Sequence, residues 1–102
     1  MPASHADRGE LHGITVVLDT HGDEVFIGRY FEQRHDGVVL LDVDFHQDGV
    51  EGRSKQDYIQ SAAQYGQWKK LVSKTIPLDQ VLSITRLADI GATIGRSRRS
   101  RD

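Results

Sequence analysis

The sequence predicts a mainly β fold: a five-stranded, strongly bent small barrel with one inserted helix at about residues 54–66. Three observations carry that expectation. Between Ile14 and Phe45, runs rich in Val, Ile, Phe and Tyr are punctuated by Gly and Asp, the pattern of antiparallel strands joined by tight turns. Gly28 interrupts the second run, where a glycine marks a bulge or sharp bend, and a small barrel needs such corners to close. Ser54 to Gly66 switches to helical spacing, bounded by a cap and a stop.

Taken in order, Met1 to Leu11 is polar and aperiodic and reads as a flexible N-terminal arm. Residues 12–90 read as one domain. Its first strand, Ile14 to Thr20, puts Ile14, Val16 and Leu18 on one face and Thr15, Val17 and Asp19 on the other. The turn at His21-Gly22-Asp23-Glu24 leads into Val25 to Gln33, and His35-Asp36-Gly37 leads into Val38 to His46. Strict alternation in that third strand places Val39, Leu41, Val43 and Phe45 in the core. Leu40, Asp42, Asp44 and His46 then share the opposite face.

Gly49 and Gly52 break the chain into a loop before the helix. Ser54 and Asp57 form a capping box of the Asp variety, Tyr58, Ala62 and Tyr65 lie on one helical face, and Gly66 ends the helix. Trp68 to Ile76 and Val81 to Leu87 read as strands four and five, joined by a tight turn at Pro77, whose ring fixes φ and which has no N–H for a ladder. The last segment, residues 91–102, is Gly-, Ser- and Arg-rich and reads as a disordered basic tail.

At 102 residues and 37% hydrophobic, the chain has material for one core and not two. The formal net charge is −2, but four Arg against one Asp give the tail +3, leaving −5 for the remainder. The absence of Cys excludes disulfides, thiolate metal sites and cysteine nucleophiles. No apolar run reaches the roughly 20 residues of a membrane helix, and the N-terminus lacks the apolar centre of a secretory signal. These features lead to the expectation of a cytoplasmic protein with no membrane partner and no cofactor.

Asp42, Asp44 and His46 fall at successive i+2 positions and are the candidate metal ligands, since carboxylate and imidazole suit a divalent ion. Successive ligands on one strand face are ~6–7 Å apart at the backbone, so two can share an ion readily and three need curvature. A solvated outer face explains the same pattern more plainly. His12, His21 and His35 sit beside Gly or Asp in turns and read as surface polar residues. Tyr58, Tyr65 and Trp68 form an aromatic stripe, read as core in preference to a stacking platform for bases. No spacing brings a nucleophile, a base and an orienting group together, so no catalytic residue is assigned. In the tail, Arg96, Arg98, Arg99 and Arg101 are candidate phosphate contacts for RNA.

The chain resembles the Sm-like family of small β-barrels. The resemblance rests on His12-Gly13-Ile14-Thr15-Val16-Val17-Leu18, Gly22-Asp23-Glu24-Val25-Phe26-Ile27-Gly28, Val38-Val39-Leu40-Leu41 and the entry to the last strand at Pro77-Leu78-Asp79-Gln80-Val81-Leu82-Ser83-Ile84. It implies a homo-oligomer built by edge-to-edge strand pairing, and a non-catalytic binding or assembly role associated with RNA. Sm-like RNA binders hold a base with an Asp and an Asn in the turn after strand two and with a later Arg-Gly pair. Here that turn is Arg34-His35-Asp36-Gly37, and Arg86 precedes Leu87, so only Asp36 and Arg86 carry over. The alternative function is a metal- or His-dependent enzyme centred on Asp42, Asp44 and His46.

Overall fold

The computed structural model describes residues 10–91. The arm up to residue 9 and the tail from residue 92, with Arg96, Arg98, Arg99 and Arg101, lie outside the described residues. The strands are β1 (Thr15–Thr20), β2 (Glu24–Arg34), β3 (Gly37–Gln47), β4 (Leu71–Ile76) and β5 (Val81–Arg86). One helix, α1 (Lys55–Tyr65), is inserted between β3 and β4, and residues 87–91 are also helical. All pairings are antiparallel, in the order β4-β3-β2-β1-β5. No helix among the described residues is long and apolar enough to cross a membrane.

The sheet is curled without being closed by hydrogen bonds, because β4 and β5 lie at its opposite edges. Laid flat, five strands would set those edges ~19 Å apart. Yet only residues 77–80 join them, and three of these form a 3-10 turn. A fully extended chain from Ile76 to Val81 spans at most about 18 Å, and a 3-10 turn shortens it. Curvature is therefore obligatory.

That curvature arises where β2 and β3 fall out of step. Ile27 faces Asp44 and Arg29 faces Leu41, so β3 has one residue more than β2 between these pairs. Asp42 takes the left-handed conformation there, at φ 52°, which a short polar side chain tolerates better than most. Gly28 lies opposite this bulge. A Cβ on it would sit 2.9 Å from the Leu41 carbonyl oxygen and 3.3 Å from Val43 Cα. The expected corner at Gly28 is thus a place where two backbones approach closely. A second shift, between Tyr30 and Glu32, adds a residue to β2 instead.

The bulge overturns strict alternation along β3. Val38, Leu40 and Val43 are buried on the inner face with Val16, Leu18, Phe26, Tyr30 and Ile76, and Phe45 packs against them. Leu40 is therefore core, fully buried, and not a residue of the polar face. On the outer face Val17, Val25 and Ile27 pack under Tyr58, Ile59 and Ala62 of α1, with Leu87 and Ile90 beside them. Each face of the sheet thus carries an apolar cluster of its own.

The expected capping box is present: Ser54 Oγ accepts from the Asp57 N–H, and the Asp57 side chain accepts from the Ser54 N–H. Gly66 ends the helix at φ 88°. Lys55, in the first turn, ties α1 to the β1–β2 turn. Its ammonium donates to Asp19 Oδ1 (2.7 Å), Thr20 O (3.0 Å) and Gly22 O (2.6 Å), which uses all three of its protons. Lys55→Met keeps the aliphatic stem but removes the counter-charge of the half-buried Asp19 carboxylate, which keeps only the Thr20 N–H, and the donor to two carbonyls. It is expected to lower stability by about 2 kcal/mol, read from the midpoint of urea unfolding.

Candidate functional site

A cleft of about 590 Å³ opens where α1 and the chain entering β4 meet the outer face of β3. Asp44 and His46 line it from β3, Arg53 from the loop before α1, and Tyr58 and Tyr65 from α1. Trp68 and Lys70 line it from the segment after Gly66.

Asp44 is the anchor of the cleft. Only 3% exposed, its carboxylate accepts from the Phe45 N–H (2.9 Å) and the Trp68 N–H (3.2 Å) and pairs with Lys70 Nζ (3.1 Å). Lys70 also donates from Nζ to Phe45 O and from its backbone N–H to Val43 O. The segment after Gly66 is thus fastened to β3 at Trp68 itself and again at Lys70. Trp68 begins no strand: β4 starts at Leu71, and Trp68 projects at the cleft mouth, 82% exposed. Tyr65 is 83% exposed. Of the expected aromatic core stripe, only Tyr58 is buried, because α1 ends at Tyr65 and the chain turns outward at Gly66.

His46 stacks on Tyr58, with ring centroids 5.0 Å apart and planes 13° from parallel. Its Nε2 donates to the Arg53 carbonyl (2.8 Å), which places a proton on that nitrogen. The Tyr58 hydroxyl is buried and has no hydrogen-bond partner. Burial first, and then the nearby Asp44 carboxylate, hold this phenol above its ordinary value of 10.0. A phenol whose proton is held more tightly in the folded chain stabilises the fold fully below pH 10.0, and that contribution is lost as pH rises above it. Tyr58→Phe should therefore flatten the alkaline fall in melting temperature, with little change near neutrality.

The three candidate metal ligands do not share a face. Asp44 and His46 stay together, whereas the bulge turns Asp42 aside to Arg29 (2.6 Å) and Lys69 (3.4 Å). The hydrogen bond from Arg29 holds the Asp42 carboxyl below its usual range. Among the described residues no group of three or more His, Asp or Glu is placed to hold a metal ion. Asp36 is exposed at the tip of the β2–β3 hairpin, while Arg86 pairs with Val16, level with Gly28. His21 and His35 are exposed in turns, and exposed His12 donates from Nδ1 to Phe31 O (2.6 Å).

What sequence reasoning missed is the grouping of Arg53, Tyr65, Trp68 and Lys70 around Asp44 and His46. The available signal was Gly66 between two aromatics, a helix stop that leaves Trp68 off the helical face. No family model matches the chain, and no curated protein matches it either.

Proposed function

We propose that the chain is an Sm-like, non-catalytic assembly module whose curled sheet forms a small barrel and whose copies join through their edge strands, with RNA as the partner of the basic tail. The observation that carries this reading is the state of the two edges. Among the described residues β4 and β5 each pair on one side only, and both expose apolar side chains, Val72 at 73% and Leu82 at 54%. An edge strand with free N–H and C=O groups and an apolar rim invites pairing with another chain. The short 3-10 connection between β4 and β5 also agrees with the resemblance.

Light scattering tests the assembly. The wild-type chain is expected at a multiple of 11.4 kDa, and Val72→Lys or Leu82→Lys at the monomer mass with an unchanged circular dichroism spectrum. A wild-type monomer at micromolar concentration would sink it. Deleting residues 95–102 should weaken a salt-sensitive mobility shift with oligo-RNA and flatten its dependence on salt. The enzyme alternative has less support, because Asp42 is engaged by Arg29 and Lys69 away from the cleft.

A further inference from the structure

We propose that the cleft between α1 and β3 is a nucleotide site, in which a base stacks on Trp68 and Tyr65 and its phosphate meets Arg53 and Lys70. It extends the RNA side of the preceding reading to a place other than the tail, and it does not need the assembly. Four observations converge on it.

First, Trp68 and Tyr65 present their faces to solvent at the mouth of a cavity, and no ring contact among the described residues engages either. Exposed aromatic faces of this kind take bases irrespective of sequence, because every base has a π-face. Second, the platform is held ready: the Trp68 N–H is bound to buried Asp44 and the Lys70 N–H to Val43 O. Pre-ordering removes part of the entropy that binding would otherwise cost.

Third, the cations fit a phosphate. Lys70 is half exposed, but its pairing with Asp44 offsets much of its charge, so the main phosphate contact is Arg53. Arg53 has no carboxylate partner among the described residues, and its guanidinium makes only a 3.5 Å contact with Asp57 O. It lies close enough to Tyr58 to act on the phenol electrostatically. Fourth, the Tyr58 hydroxyl at the back of the cleft is buried without a formed hydrogen bond, with the Asp44 carboxylate nearby. A buried donor left unpaired is costly, and a base or phosphate oxygen is chemically suited to take it up. A cleft for a purely apolar ligand would need none of these polar groups.

The chain has one Trp, so its intrinsic fluorescence reads this site alone. Emission should be quenched saturably by adenosine monophosphate or by a short oligoadenylate. Quenching by both identifies a free nucleotide as sufficient, and quenching by the oligomer alone points to single-stranded RNA. Tyr65→Ala, which keeps the reporter and changes an exposed side chain, should weaken binding about tenfold. Arg53→Ala should weaken nucleotide binding and leave any adenosine binding unchanged. Titrating the tail-deleted chain separates the cleft from the tail, and the quenching should persist. The proposal is overturned if no saturable change occurs, if Tyr65→Ala binds like the wild type, or if inorganic phosphate displaces the nucleotide at equal concentration.

Discussion

Gly37→Ala is expected to be among the most damaging single changes in the chain, costing about 3 kcal/mol or more. Gly37 opens β3 at φ 151°, a conformation that side chains avoid. A Cβ built there collides with the Ile76 carbonyl group, and the Thr75 methyl lies 3.0 Å away. The obstacle is backbone of the neighbouring strand, which cannot rotate aside. Relief means separating β3 from β4 at the Val38–Ile76 pair, where both residues are buried. Since a domain of this size has about 5–15 kcal/mol in total, urea unfolding should show a clearly lower midpoint. An unchanged midpoint would mean that the hairpin and β4 are not registered as described.

The second large effect separates two adjacent leucines. Leu40→Ala should cost about 3 kcal/mol and lower the melting temperature by roughly 15 °C, because Leu40 is fully enclosed on the inner face. Leu41→Ala should cost about 1 kcal/mol or less, since Leu41 is only half-buried. Strict alternation from Val39 gives the reverse ranking. The pair therefore tests the bulge at Asp42 without disturbing it, and equal losses would count against the bulge.

That reversal shows where the sequence was readable. Each strand was legible to within three residues, because β-branched runs and Gly-Asp turns mark where pairing starts and stops. The capping box and the Gly66 stop were legible for the same local reason. Face assignment failed within Val38-Val39-Leu40-Leu41, four apolar residues in a row that alternation cannot place. The left-handed turn at Asp42 is decided by close approach to Gly28 across the sheet, a tertiary cause that no local pattern carries. The cleft was illegible on similar grounds. Asp44, Arg53, Tyr65 and Trp68 are spread over 25 positions and meet only because α1 folds back over β3. The helix at residues 87–91 was not foreseen, with Leu87 read as the strand end and Gly91 as the start of the tail, since Leu87 and Ile90 find their partners on a surface made elsewhere.

The unlike character of the two sheet margins has a consequence for growth. A contact between β4 of one copy and β5 of the next is head-to-tail, so each added subunit leaves a fresh margin for another. Such a series ends only when the rotation per subunit closes a circle, and otherwise it continues as a filament. In the proposed assembly that rotation would follow how tightly the sheet rolls at Asp42 and Gly28. Substitutions at the kink would then alter the number of copies in a closed ring while the margins themselves stay the same.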